Sequence, residues 1–202
     1  LAGSFGLLDT VWWSVGAGAL MVALISFADD WFDLPRGPRF VVHIVAALVV
    51  VTFVDGPGSV IVPGTDWPLP GWLTFVPVVV AVVWITNLYN FMDGMDGLAG
   101  GMGVVGFGTL ALLGASPEDS SYSLMCVVIA ASCGGFLVAN FPPAQIFMGD
   151  VGSITLGFLA GSLILVGERL DKFDWWVGVL AFAPFVCDAT VTIARRIANS
   201  ER

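Results

Sequence analysis

The chain is 202 residues long, 57% hydrophobic and only 11% charged, with a mean hydropathy of +0.93. Ordinary soluble domains run at about 45–50% apolar and about 25% charged, so a water-soluble fold is excluded and lipid must solvate much of the surface. The net charge of −9 argues against a nucleic-acid partner and means that an anionic substrate needs a metal to meet it.

Charges and turn residues punctuate the chain into roughly seven apolar segments, residues 11–28, 40–54, 72–89, 97–115, 122–140, 152–166 and 175–193. Only helices and closed barrels satisfy their backbone in lipid, and unbroken apolar runs without alternation predict helices. The predicted fold is therefore all-α: a polytopic membrane helix bundle of about seven transmembrane helices, forming one transmembrane domain over residues 1–202. The chain opens at Leu1 without a methionine and closes at Arg202 soon after a helix, so this domain is expected to be incomplete at both ends. Cys126 and Cys133 lie seven apart in one segment, too far along a helix for a disulfide, and with Cys187 are read as small packing residues.

Alternate threading puts the links 29–39, 90–96 and 141–151 and the tail from Ala194 on one side of the membrane. The links 55–71, 116–121 and 167–174 fall on the other. The first side carries Arg36, Arg39, Arg195, Arg196 and Arg202, the second only Arg169 and Lys172, so the first is expected to be cytoplasmic. Asp66, Glu118 and Asp171 are expected on the opposite face. Trp12, Trp13, Trp67, Trp72, Trp175 and Trp176 crowd the non-cytoplasmic ends, as an interfacial aromatic belt should.

Every dense acidic motif falls on the arginine-bearing side. Asp29-Asp30 closes the first helix, where negative charge opposes the helix dipole unless a cation compensates it. Asn87-Leu-Tyr-Asn90-Phe-Met-Asp93-Gly-Met-Asp96-Gly97 follows the third. Its two asparagines are one turn apart and share a face. Gly94 permits a tight turn. Asp96 is placed either to cap the next helix or to serve a site. In Asn140-Phe-Pro-Pro-Ala-Gln-Ile-Phe147-Met-Gly149-Asp150-Val-Gly152-Ser153, the proline pair stops one helix and Asp150 sits before another, whose N-terminus favours anions. Carboxylates converging from separate loops suit Mg²⁺, a hard cation that takes a few carboxylates plus phosphate oxygens, with Mn²⁺ admissible in its place.

Other patterns carry no chemistry. Gly101-Met-Gly103-Val-Val-Gly106 matches a dinucleotide fingerprint but lies inside an apolar helix rather than after a strand. Gly97/Gly101 and Gly157/Gly161 read as small-residue helix-packing faces. His43, the only histidine, cannot build a zinc site alone and reads as packed or hydrogen-bonded.

On these motifs the chain resembles the polyprenyl-phosphate N-acetylhexosamine-1-phosphate transferase family, which includes the translocase making the first lipid intermediate of peptidoglycan. Ala28-Asp-Asp30, residues 87–97 and Phe147-Met-Gly-Asp-Val-Gly-Ser153 are similar to its three cytoplasmic signatures in order, and the similarity covers essentially the whole chain. The 87–97 motif resembles the branch that initiates O-antigen and related glycans, and Pro184, Asp188, Arg195 and Arg196 resemble the start of the last cytoplasmic loop. The family's histidine motif should follow Arg196, and His43 stands where glutamine is expected. This chain alone is therefore expected to insert without turning over.

The resemblance implies an enzyme of a bacterial inner membrane, with its site on the cytoplasmic face. It would transfer N-acetylhexosamine-1-phosphate from a UDP-sugar to undecaprenyl phosphate, releasing UMP. It implies Asp150 as principal Mg²⁺ ligand with Asp93 beside it, and Asp29 and Asp30 as essential acids that either bind the lipid phosphate or deprotonate it. Asn90, Asp93, Asp96, Asn140 and Phe147 would lie around the nucleotide, Phe147 as a stacking surface for uracil or as an apolar plug. Asn87, Arg195 and Arg196 complete the substrate-binding set. The expected partners are the UDP-N-acetylhexosamine, undecaprenyl phosphate and the bilayer, and a homodimer is admitted. The rival readings are a transporter, which needs ionisable groups near the bilayer midplane where only Asp188 is available, and an intramembrane aspartyl protease, which needs two carboxylates sharing a proton within the membrane.

Overall fold

The computed structural model describes residues 2–54, 59–60, 69–117 and 119–199. Six of the seven predicted segments are single helices: α1 (Ala2–Phe32), α2 (Arg36–Phe53), α3 (Gly71–Met92), α4 (Leu98–Leu113), α5 (Ser121–Asn140) and α6 (Gly149–Arg169). Five of them are long and apolar enough to cross a membrane, and α4 is a shorter apolar helix. The protein is a multi-pass membrane bundle. The only sheet among the described residues is a two-residue antiparallel pair, β1 (Ser59–Val60) with β2 (Leu69–Pro70), between α2 and α3.

The seventh predicted helix is not one helix. It divides into α7 (Trp175–Leu180) and α8 (Ala183–Ala198). Pro184 explains the break: it offers no N–H to the carbonyl of Leu180 four residues earlier, and its ring clashes there. That segment is two shorter helices, neither of which is among the five long and apolar enough to cross singly. By contrast Pro38 sits in the first turn of α2, where the missing N–H has no helical partner anyway, and the helix continues.

α6 is the hub, packed against α1 and α3 and touching α2, α4 and α7, while α4 and α5 form a second close pair. Lipid gives little hydrophobic drive between helices, so close approach at small residues has to hold the bundle. A Cβ on Gly157 would lie 2.7 Å from the Thr86 carbonyl oxygen, and one on Gly161 would lie 3.3 Å from Val82 Cα. Gly157/Gly161 is thus a packing face for α3. Gly101 is not, because a Cβ there would meet nothing within 4 Å. The glycine triplet 101–103–106 lies inside α4, as the rejection of a nucleotide loop required.

Two buried tyrosines fix the bundle's two ends. Tyr89 donates to the Ala99 carbonyl (2.7 Å) and packs edge-on against Phe185, tying α3 to the start of α4 and to α8. Tyr122 donates to the Leu163 carbonyl (2.9 Å) and packs against Phe173, tying α5 to α6 at the other end. Lys172 reaches the Asp119 carbonyl at 3.5 Å there, so the links 116–121 and 167–174 share a face as threaded. Asp66, Trp67 and Glu118 lie outside the described residues, as does the Trp72 side chain. Cys126 and Cys133 are buried free thiols, but Cys187 is exposed on α8 and is no packing residue.

Candidate active site

Three links meet at the end opposite Lys172. Asp29 turns the chain from α1 into α2: its carbonyl accepts the Asp33 N–H and its Oδ1 accepts the Leu34 N–H, each at 2.8 Å. The turn returns Arg39, in the second turn of α2, to the same carboxylate. Its Nη1 pairs with Asp29 Oδ2 and also with Asp150 Oδ2 at 3.0 Å. Asp150 lies in the first turn of α6, where the helix dipole favours a negative charge. Gly149 before it has φ +66°, a backbone that favours glycine, and a side chain there would point at the Asp30 carboxylate.

Oxygens of Asp29, Asp30 and Asp150 lie within 4.8 Å of one another. Arg39 offsets one of three negative charges, and no other cation pairs with them among the described residues. The donor set is all oxygen, partly exposed and short of positive charge. That fits a hard divalent cation such as Mg²⁺ or Mn²⁺.

Asp93, expected as a ligand, is not in that trio. It stands in the turn after α3, near enough for Asp150 to act on it. Burial first, and then the Asp150 charge, push its carboxyl up to about 6. Asn90 is one turn back, its amide oxygen 2.7 Å from the Ser153 hydroxyl, which also lies 2.9 Å from the Gly149 carbonyl. That contact clamps the end of α3 to the first turn of α6.

The other expected site residues divide by what their polar atoms already hold. Asn140 is buried with both amide ends engaged: Oδ1 accepts the Gly97 N–H (2.9 Å) and Nδ2 donates to the Ile146 carbonyl (2.8 Å). It joins the α3–α4 link to the α5–α6 link. Asp96 joins the same links by accepting the Ala144 N–H at 2.9 Å. Its capping alternative fails, because the N-cap of α4 is Gly97 in the left-handed region, with no side-chain cap bond. Asn87 donates back to the Val83 carbonyl of its own helix at 2.7 Å and shares no partner with Asn90.

Phe147 is 78% exposed on the acidic face, so it is no plug. Arg195 is exposed on α8 and makes no ion pair with the carboxylates among the described residues, and the Arg196 side chain lies outside them. His43 is buried, and among the described residues neither ring nitrogen meets a partner at hydrogen-bond geometry, although the Asn87 amide lies beside it. Packed is therefore the half of its expected role that holds.

Arg39 and Ser153 are what sequence reasoning missed as site residues. Arg39 entered only as one charge in a topology count, and nothing local shows that an arginine ten residues past Asp29 turns back to it. Ser153 closed the third motif, but its tie to Asn90 is long-range.

Residues 12–168 match the family described as Glycosyl transferase family 4. The chain belongs to glycosyl transferase family 4. The match runs from α1 into the last turn of α6 and so includes the trio, Arg39, Asn90, Asp93 and Ser153; α7 and α8 lie beyond it. The chain is 32% identical over 191 residues, 93% of its length, to a probable undecaprenyl-phosphate N-acetylglucosaminyl 1-phosphate transferase of Bacillus subtilis (strain 168). It is 32% identical over 160 residues, 73% of its length, to phospho-N-acetylmuramoyl-pentapeptide-transferases of Bacillus thuringiensis (strain Al Hakam) and Bacillus cereus (strain AH187). It spans about half the length of these family members, 53% and 49% respectively.

Proposed function

We propose that the chain is the membrane-embedded catalytic part of an enzyme that transfers N-acetylhexosamine-1-phosphate from a UDP-sugar to undecaprenyl phosphate. The reading rests on one observation: three carboxylates from two helices within 4.8 Å, with one guanidinium among them. The family supports the reaction class: the relatives are an undecaprenyl-phosphate N-acetylglucosaminyl 1-phosphate transferase and phospho-N-acetylmuramoyl-pentapeptide-transferases, which move a sugar phosphate. The acidic face is then cytoplasmic in a bacterial inner membrane, where a UDP-sugar is available. The product would initiate an O-antigen or related envelope glycan.

In the reaction an oxygen of undecaprenyl phosphate attacks the β-phosphorus of the donor. The bond from that phosphorus to the α,β-bridging oxygen breaks, and UMP leaves with the electron pair. Both reactants are anions, so the barrier is one of positioning and charge. Asp29, Asp30 and Asp150 would hold Mg²⁺, which supplies neutralisation of the pyrophosphate and of the leaving UMP. Arg39 holds Asp29 and Asp150 in register and keeps one positive charge beside the reacting phosphates. Asn90 and Ser153 fix α3 against α6, so the carboxylates keep their spacing. Asp96 and Asn140 hold the two neighbouring links as a floor, and exposed Phe147 offers a face on which uracil can stack.

The direct test assays the full-length enzyme against a panel of UDP-sugars with undecaprenyl phosphate, reading UMP. Release that requires both the lipid and one UDP-N-acetylhexosamine is expected. Release without lipid, or none with any UDP-sugar, would contradict the reading.

A further inference from the structure

The far end of α6 carries a second polar constellation. Glu168 lies eighteen residues after Asp150, about 27 Å along the helix at its usual rise, and therefore at the other membrane interface. There α3, α6 and α7 enclose a cavity of about 200 Å³, lined by Leu73, Pro77, Gly161, Glu168 and Trp175 among mostly apolar side chains.

Two of its polar side chains, Glu168 and Trp175, have no ion-pair or hydrogen-bond partner among the described residues. The Glu168 carboxylate makes no ion pair among the described residues, and Asp174 sets a second negative charge beside it. Lys172, the nearest lysine in sequence, is turned to the Asp119 carbonyl. The Trp175 indole N–H is buried without an acceptor among the described residues. Pro77 stands inside α3 and has no N–H to give, so the Leu73 carbonyl loses its helical donor. A buried polar group left unpaired is costly. A carboxyl acceptor and an indole donor therefore border an apolar cleft at headgroup depth, with the Leu73 backbone beside them.

We infer that this cavity binds the headgroup of an amine-bearing phospholipid. The primary ammonium of an ethanolamine lipid donates to Glu168 and to the Leu73 carbonyl. A phosphate or ester oxygen accepts the Trp175 N–H, and an acyl chain lies along the apolar wall of α3. Charge complementarity selects the lipid. A choline headgroup has no N–H to donate, and a glycerol headgroup offers hydroxyl donors but no cation to offset its phosphate beside Glu168 and Asp174. The site is separate from the carboxylate trio and does not depend on the reaction proposed for it.

Native mass spectrometry tests this on the purified chain, exchanged into micelles with equimolar phosphatidylethanolamine, phosphatidylcholine and phosphatidylglycerol. The ethanolamine lipid is expected to be retained about tenfold over the other two, as a charge-assisted hydrogen bond implies. Glu168→Gln should abolish the preference, Trp175→Phe should weaken it severalfold, and Asp150→Asn should leave it intact. Should Glu168→Gln fail to fold, Trp175→Phe decides. Equal retention of the three headgroups, a preference surviving Glu168→Gln and Trp175→Phe, or displacement of the lipid by equimolar free ethanolamine would overturn the inference.

Discussion

Each end of the bundle is held by a buried tyrosine, but only the acidic end adds a lattice of side chains around charged groups. At the acidic end, links distant in sequence are joined side chain to link: Arg39 to Asp29 and Asp150, Asn90 to Ser153, Asn140 to Gly97 and Ile146, Asp96 to Ala144. At the other end, the ties among the described residues include the buried Tyr122 hydroxyl on Leu163, the Tyr122–Phe173 ring pair, the Ser123 hydroxyl on the Ala111 carbonyl at 2.7 Å and one long lysine contact. Aromatic packing can be exchanged for other apolar packing, whereas a polar lattice around uncompensated carboxylates has little use except to hold a charge. The comparison teaches that substitutions at the acidic end should change function before stability, and those at the far end the reverse.

Asp150→Asn should break the acidic end most. It keeps the side-chain volume and removes a charge that the proposed cation needs. A metal effect of several kcal/mol corresponds to at least about a thousandfold slower UMP release by the full-length enzyme. Near-normal turnover at saturating Mg²⁺ would make the two ends functionally alike. Arg39→Gln comes next, removing a guanidinium that is 25% exposed between partners exposed 10% and 30%. Lying between exposed and buried ion pairs, it should lower stability by about 1–2 kcal/mol without divalent cation. Thermal unfolding with and without Mg²⁺ would show the loss shrinking when the ion is added.

Two milder substitutions sharpen the contrast. Tyr122→Phe deletes only the bond to Leu163 and should cost about 1 kcal/mol in chemical denaturation, with kcat of the full-length enzyme unchanged. Phe147→Ala should do the opposite. An exposed ring contributes little to stability, within about 0.5 kcal/mol, while KM for the donor rises severalfold if uracil stacks on it. A fall in stability with KM unmoved would remove Phe147 from the donor site.

A further effect is in pH. Asp93 holds its proton to about 6 in the fold, above the ordinary carboxylate value of 3.8. Between those values the folded state carries more proton than the unfolded one, so stability falls as pH rises through that window. Asp93→Asn should flatten this slope in denaturation measured from pH 4 to 7. Asp150→Asn should flatten it in part, because burial remains the larger cause.

Helix existence was legible in the sequence because apolar runs of this length have few alternatives in lipid. The break at Pro184 was missed although its signal was local: the proline lay within a run long enough to pass as one helix. Convergence of Asp29, Asp30 and Asp150 on one face was legible from threading alone. Their partners were not. Asn140 and Asp96 read as polar residues near a site, and only the structure shows that their polar atoms already bind Gly97, Ile146 and Ala144. The Arg39 bridge also depends on how the turn after α1 returns the chain, and that is set by Asp29 binding the Leu34 N–H.

The central claim is that Asp29, Asp30 and Asp150 form one cation site. Titrating Mn²⁺ into the purified chain, with bound ion read by electron paramagnetic resonance, tests it without any substrate. One saturable ion per chain is expected, competed by Mg²⁺ and lost in Asp150→Asn while Tyr122→Phe leaves it in place. Unchanged binding in Asp150→Asn, or no saturable ion in the unsubstituted chain, would contradict it.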